Sequence, residues 1–549
     1  MSRTETPCPQ PSRPRRIGLK DFTGRVLTLS DAPGAWERHG NGPDALLMGL
    51  GPGDPSALPF VQEPDPASGR APTVHWVEEP VTLERLRSRG AGIVPEDWRE
   101  ASPDQVPELA ARCRCFFHRQ GLLLAPAFWT PLLGAALAAQ LPRPTKGRVR
   151  PPAVLLPGND AQLLHVELRL ALQSLGLAPV TPAPDTSSKG DMQSLADAVE
   201  GHDPLLFLSV NFRGLDRDGR IFACLRALGV PVAIWFVDNP RLLLTSIPNP
   251  WWKEASLFVT DASFIRELTA AGARNVRQLP LAAAPHMIAR GESLPHADPA
   301  APPLFVGRSV FPDHDRFFAA AHVAENLMDT GMARARSIHP PDRGADFHWW
   351  RTVLRARPWP SQDVRNAGFA ADACSRHRRA AWITAAAKAG CRIVGDMGWQ
   401  REAPGIVLAP PVDYFGSLPD LYARASAVLN VTSLLLPHSL SQRHFDAWAA
   451  GGLCLTDATP GMGLFPRKLA DPVTLDSPEA FADRMDDLRA HPARWEELRR
   501  AWRDLIVAGH TYGHRIRTVA ETLGVQIPLD RRPHENFAAD RADILPGGR

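Results

Sequence analysis

Residues 429–457 read Leu-Asn-Val-Thr-Ser-Leu-Leu-Leu-Pro-His-Ser-Leu-Ser-Gln-Arg-His-Phe-Asp-Ala-Trp-Ala-Ala-Gly-Gly-Leu-Cys-Leu-Thr-Asp. An apolar run enters a polar loop. An amphipathic stretch follows, stops at Gly451-Gly452 and gives way to a second apolar run. Strand, helix and strand at this spacing require parallel pairing, because parallel neighbours need a crossover and the crossover is usually a helix. Strands covered on both faces read as continuous apolar runs, as both do here. This one segment therefore fixes an α/β class with a parallel sheet.

The same alternation recurs along the chain. Residues 153–156, 205–210, 232–237, 257–260 and 276–279 are strand candidates, with helical patterns at 163–175 and 222–228. A further block holds strand candidates at 391–394, 427–431 and 453–456 and helix candidates at 378–389, 418–425, 443–450 and 478–491. With 549 residues the chain exceeds what one core organises. The division expected is an N-terminal α/β accessory region over 1–150, Rossmann-like units over 151–300 and 301–527, and a charged tail over 528–549. A basic, Pro-rich linker at 141–152 and a Pro/Ala-rich hinge at 293–303 mark the joints. In the accessory region, 26–29, 45–49 and 74–77 are strand candidates, and 106–117 and 128–140 read as helical. The Gly49-Leu50-Gly51-Pro52-Gly53 run carries proline inside it and reads as a turn rather than a phosphate loop.

Composition excludes several classes. Net charge is +3, without the basic excess of a dedicated nucleic-acid binder. Seven scattered Cys include one C-x-C pair, Cys113 and Cys115, and no second pair. Buried free thiols are expected, with no zinc site, and a reducing, cytoplasmic location fits. The N-terminus shows no signal-peptide pattern, and no apolar run reaches the length of a membrane span. His510 and His514 have i, i+4 spacing without a third ligand, and with Arg515 and Arg517 they read as a solvated basic face. No metal site and no cofactor are expected.

In parallel α/β sheets, ligands bind beyond the carboxyl ends of the strands. The polar residues falling there are the candidates. In the last block they are Gly307, Arg308 and Ser309, then Asp396 beside Trp399, then Ser441, Gln442, Arg443 and Asp446. Amides at a helix start bind phosphate, helped by the helix dipole, and Arg308 and Arg443 supply cations for a diphosphate. Asp446, one turn into its helix, is the candidate for the ribose hydroxyls. In the preceding block Asn159, Asp160, Asn211, Asp238 and Asn239 end strands. They read as the acceptor side of a cleft, with Asp160 or Asp238 as general base. His165 reads as a packed helix residue.

Several motifs occur together in a fixed order: Trp-Phe-Val-Asp-Asn-Pro-Arg at 235–241, Leu-Pro-Leu-Ala at 279–282, Gly-Asp-Met-Gly-Trp at 395–399, Gln-Arg-His-Phe-Asp at 442–446, Ala-Gly-Gly-Leu-Cys-Leu-Thr-Asp at 450–457 and His-Thr-Tyr-Gly-His-Arg at 510–515. As a set, over roughly 153–524, they resemble the spore maturation protein CgeB-like glycosyltransferases of bacteria. The resemblance implies a GT-B architecture of two Rossmann-like domains facing across a cleft. The C-terminal domain would bind a nucleoside-diphosphate sugar and the N-terminal one an unidentified acceptor (a glycan, protein or small molecule), without a metal. Related enzymes commonly hold the ribose with Glu where this chain has Asp446, and many retaining ones carry a Lys that is not evident after Arg308. A non-catalytic nucleotide-sugar-binding scaffold and a sugar-nucleotide epimerase share the architecture. A nicotinamide dehydrogenase does not fit, since no G-x-G-x-x-G opens a helix after a strand.

Overall fold

A computed structural model describes residues 15–141, 152–182, 192–293, 298–336, 344–357 and 362–527. Most of the linker at 141–152, part of the hinge at 293–303 and the tail at 528–549 lie outside these residues.

Two six-stranded sheets, parallel throughout, form the body of the molecule. The first unit orders its strands Asn275–Gln278, Ser256–Val259, Val232–Phe236, Pro204–Val210, Ala153–Leu155, Ala178–Val180. In sequence order that is 6-5-4-3-1-2, the flavodoxin-like winding. The second orders them Leu408–Ala409, Arg392–Val394, Leu304–Val306, Val428–Asn430, Cys454–Asp457, Thr474–Leu475. That is 3-2-1-4-5-6, the Rossmann winding. Each order reverses direction beside its first strand, and the crevice opens there. Expected strand positions agree within a residue or two, while the short strands at 178–180, 408–409 and 474–475 escape the apolar-run criterion. The helix expected over 378–389 is the end of a much longer one, Gln362–Lys388. Small residues such as Ala367, Gly368, Ala370 and Ala371 let that helix pack closely, so its buried face carries little apolar signal.

Residues 15–141 form a third unit. A five-stranded sheet, ordered Trp36–His39, Cys113–His118, Asp44–Met48, Val74–Val77, Arg99–Glu100, is parallel except for its first strand. Strand Val26–Ser30 pairs outside it with Arg16–Lys20. The helical reading of 106–117 is corrected: the helix ends at Arg112, and Cys113–His118 is a fully buried strand. A buried strand and a buried helix turn share an all-apolar pattern over so few residues. The Gly49–Gly53 turn is packed by its own domain, since a Cβ on Gly51 would meet His118 and Trp36 at 3.3 Å. Helix Pro126–Gln140 lies on helix Arg220–Ala227 of the first Rossmann unit, where Gly134 sits directly on Ala223. Arg220 adds a bidentate pair to Glu37, at 2.7 and 2.9 Å. Residues 15–141 are thereby joined to the first Rossmann unit.

The two Rossmann units are tied at several points. Helix Tyr512–Leu523 follows the second unit in sequence but packs on helix His165–Ser174 of the first, and Ala283 bridges Thr511. The solvated-face reading of 510–515 is corrected here. Arg515 is buried, donating to the carbonyls of Pro280 and Leu281. The six described cysteines are buried free thiols, as expected. No described helix is long and apolar enough to cross a membrane.

Beneath the second unit's crevice, Arg378 of the long helix meets Asp457 at 2.9 Å, both buried, and Asp457 accepts the Thr432 amide at 2.7 Å. Removing one partner strands a buried charge, which costs roughly 3–5 kcal/mol. Arg378→Ala is expected to lose that much in denaturant unfolding. A loss within the ordinary surface range would show that the pair is not holding the long helix to the sheet.

Candidate active site

The carboxyl edges of the two sheets face each other around a cavity of about 1050 Å3. Asp160, Asp238, Asn239, Arg308, Ser309 and Gln442 line it, together with Glu167, Asp372, Arg379 and Tyr414, which the sequence reading did not single out. Asn159, Asn211, Gly307, Asp396, Ser441 and Asp446 are not among the lining residues, and the half-buried Arg443 reaches its edge beside Arg379 at Gly307.

On the wall of the second unit, the strand Leu304–Val306 delivers Gly307 to the point where the strand order reverses. A Cβ there would lie 3.1 Å from a terminal nitrogen of Arg379 and equally close to one of Arg443. Glycine is what lets two guanidiniums approach the backbone together. Arg379 lies over the Trp399 ring at 4.8 Å and donates to the Arg308 carbonyl at 3.0 Å. Arg443 lies over Phe305 at 5.6 Å and bonds Asn430. Among the described residues neither makes an ion pair with a carboxylate. Burial and then the neighbouring Arg443 charge bring the Arg379 guanidinium down to about 10, so it stays cationic at neutral pH. Asp372 and Asp396 act on Arg379 only through space, and two guanidiniums this close, neither bonded to a carboxylate, favour an anion beside them.

Ser309 and Asp396 fasten this loop rather than face outward. Asp396 accepts the Ser309 amide and hydroxyl at 2.8 and 2.6 Å and the Gly398 amide at 2.9 Å. Partial burial alone would raise its pKa, but these bonds hold it below the usual range. Trp399 donates from its indole to the Gly307 carbonyl at 2.8 Å, so it too builds the loop. Ser441 caps helix Gln442–Ala449 in a capping box with His444, and its hydroxyl donates to Asn430 at 2.9 Å. The amide expected for phosphate at this position is thus already taken by the cap. His444, enclosed completely, is pushed down to about 4 by burial and is neutral.

Asp446 departs furthest from expectation. It is 1 % exposed and has no surface on the cavity. One oxygen accepts the amide of Ala284, in the segment joining the two units, at 2.9 Å, and the other accepts the Tyr414 hydroxyl at 2.9 Å. Gln442 donates to Tyr414 and, at 3.2 Å, to Glu167 of the opposite unit. The ribose expectation is therefore corrected: on this amphipathic helix the position at 446 falls on the buried face. Burial raises Asp446 to about 8, so at neutral pH it is mostly protonated.

On the wall of the first unit, Asp238 is reached by water but crowded by protein, which raises its pKa. Asn211 donates to it at 2.7 Å and accepts the Val237 amide at 3.0 Å. Asn211 and the following Phe212 both have positive φ, 53° and 66°, an uncommon backbone state for residues other than glycine and one that clusters at functional edges. Glu167 is buried at the cavity wall, and burial raises its pKa as well. It sits among apolar residues on its helix, so only the tertiary structure picks it out. Asp160 is exposed and paired with Arg169 at 3.3 Å, and Asn159 closes a local turn on the Ala161 amide. Asn239 caps the next helix and reaches across the seam to the Leu435 carbonyl at 2.9 Å. His165 is buried, as expected.

A family profile described as glycosyl transferase-like matches residues 376–521. That stretch of the chain is similar to glycosyl transferases. It contains Arg379, Asp396 and the segment from Ser441 to Asp446. No curated protein matches the chain. Among solved structures, a glycosyltransferase from Rickettsia africae ESF-5 aligns over 68% of this chain and 98% of its own, at 9% identity and TM-score 0.38. Anabaena HepE, determined with UDP and glucose, aligns over 68% and 99%, at 10% identity and TM-score 0.36. The β-glucosyltransferase of T4 phage aligns over 68% and 99%, at 8% identity and TM-score 0.34.

A carboxyl group whose pKa is raised by folding contributes stability that is full below its unfolded value, near 4, and lost as pH rises through 8. Asp446→Asn keeps the shape of the neutral acid without titrating. The variant is expected to lose less stability than the parent between pH 5 and about 8, read from urea midpoints. The buried histidines, whose pKa values are lowered, act with the opposite sign and are common to both proteins. Parallel pH curves for the two would show that Asp446 is already ionised at pH 5.

Proposed function

We propose that this protein is a glycosyltransferase that moves a sugar from a nucleoside-diphosphate sugar to an acceptor hydroxyl. The observation that carries the reading is the pair of guanidiniums at Gly307, unpaired with any carboxylate among the described residues, at the crevice of a Rossmann-wound sheet. The glycosyl transferase-like match over 376–521 supports it and includes both arginines.

In this reading Arg379, Arg443 and Arg308 hold the diphosphate. Their fixed charge stabilises it as it leaves, the electrostatic role that preorganised donors play in a transition state. The acceptor hydroxyl forms the new bond to the anomeric carbon while the bond from that carbon to the diphosphate breaks. Its proton passes to Asp238 or Glu167, whose raised pKa values make them better bases than ordinary carboxylates. Asp446 does not touch substrate. It positions Tyr414 and Gln442, which do line the cavity. We propose further that the arginines take the place of a divalent cation. The CgeB-like resemblance leaves the acceptor open among a glycan, a protein and a small molecule.

Calorimetry with UDP, ADP and GDP and a donor-hydrolysis screen across common sugar nucleotides test the reading. A charged hydrogen bond is worth about 1.5–3 kcal/mol, so Arg379→Ala and Arg443→Ala are each expected to weaken nucleoside-diphosphate binding roughly 10- to 100-fold. Turnover is expected to survive excess chelator. Absence of binding to any nucleoside diphosphate by the folded protein would overturn the proposal, and binding without turnover of any donor would leave a non-catalytic nucleotide-sugar binder.

A further inference from the structure

Ten large hydrophobic side chains are exposed among the described residues, and three of them converge on one place. Leu163, 51% exposed, follows the first strand of the acceptor-side unit. Phe311 and Phe415, 37% and 38% exposed, lie on loops of the donor-side unit. All three line the cavity between the units, with Leu243 beside Leu163's wall and Phe317 near Phe311. Apolar surface left open to water is unfavourable in proportion to its area, and where it is gathered in a concave site it marks what the site binds.

A nucleoside-diphosphate sugar does not account for this surface. Its apolar elements are limited to the faces of the base and the C–H faces of its sugar rings. The apolar residues stand on walls contributed by both units. The two carboxyl groups of the acceptor side, Asp238 and Glu167, line the same cavity. An oligosaccharide acceptor would call for hydrogen-bonding groups all round its hydroxyls, whereas on this wall Asp160, Gln162, Glu167, Asp238 and Asn239 are interrupted by Leu163, Leu164, Leu242 and Leu243.

We propose that the acceptor is a hydroxyl carried on an apolar body, an aryl or long-chain alcohol, seated between Leu163 and Phe311 with its hydroxyl toward Asp238 and Glu167. The proposal rests on the glycosyltransferase reading for its role but not for its binding. The ring of Phe415 packs on Tyr414 and His286, at 4.8 Å in both cases, so the Asp446-supported tyrosine fixes this wall of the seat as well.

The test uses the full chain. Umbelliferone probes the aryl source by its fluorescence, decanol probes the alkyl source by competition and by calorimetry, and maltotriose serves as the oligosaccharide comparison. Saturable binding of umbelliferone or decanol without any nucleotide present is expected, with maltotriose neither binding nor competing. Leu163→Asp and Phe311→Asp are expected to weaken that binding by about tenfold or more, as loss of one or two buried apolar groups implies. Val407→Asp, at a more exposed apolar position off the cavity, is expected to leave it unchanged. Unfolding midpoints of all three variants near the parent's establish that the fold is intact. No saturable binding of either probe, binding indifferent to both cavity substitutions, or tight maltotriose binding would each overturn the proposal. Nucleoside diphosphate binding measured alongside separates the two readings: if it persists while the apolar probes fail, the acceptor class falls alone, and if the probes bind while no nucleotide does, the donor reading falls alone.

Discussion

Parallel strand pairing governs the rest of this structure. A parallel sheet closes its hydrogen bonds only if each strand returns through a crossover, and the crossovers place every strand's carboxyl end on one edge. Two such sheets are joined here edge toward edge. Polar loops that would otherwise be scattered over two surfaces meet across one cavity. The reversals of strand order sit beside Ala153–Leu155 and Leu304–Val306, and the loops after those two strands supply Leu163 on one side and Gly307, Arg308 and Phe311 on the other.

The cavity keeps its shape through contacts that cross the seam. Asp446 takes the Ala284 amide with one oxygen and the Tyr414 hydroxyl with the other. Gln442 reaches Glu167, and Asn239 reaches the Leu435 carbonyl. Asp261 accepts the His438 amide at 2.8 Å. Buried polar groups are costly unless bonded, so each of these ties also selects one relative position of the two units. A protonated Asp446 suits this role, because an ionised carboxylate so enclosed, with no cation bonded to it, would be strongly disfavoured.

The strands of both Rossmann units were legible because buried parallel strands are continuous apolar runs, and the loops at their ends followed from the topology. Of the residues expected at the site, Asp238, Asn239, Arg308, Ser309, Gln442 and Asp160 do line the cavity. Ser441, Asp396 and Asn159 are turned to the loops and caps that build it. Arg379 was illegible as a site residue: it lies on a long helix of small residues, fifteen or more positions from any strand-end motif in sequence, and nothing local marks its guanidinium as facing an anion site. Cys113–His118 was misread because a short buried strand and a buried helical turn carry the same apolar signal.

The sequence by itself determined the class of fold and the positions of most strand ends, since these follow from periodicity and from the geometry of parallel pairing. It also determined that Gly307 and Arg308 end the strand at the crevice. Only the tertiary structure decided which side chains face the cavity and which lie behind it. A helix position alone does not say whether Asp446 points to a ligand or into the seam, because that depends on how far the helix is rotated against a neighbour hundreds of residues away. The same packing brought Arg379 to Arg443, turned an N-terminal charge into a neutral acid, and left Leu163, Phe311 and Phe415 exposed on the lining of one cavity.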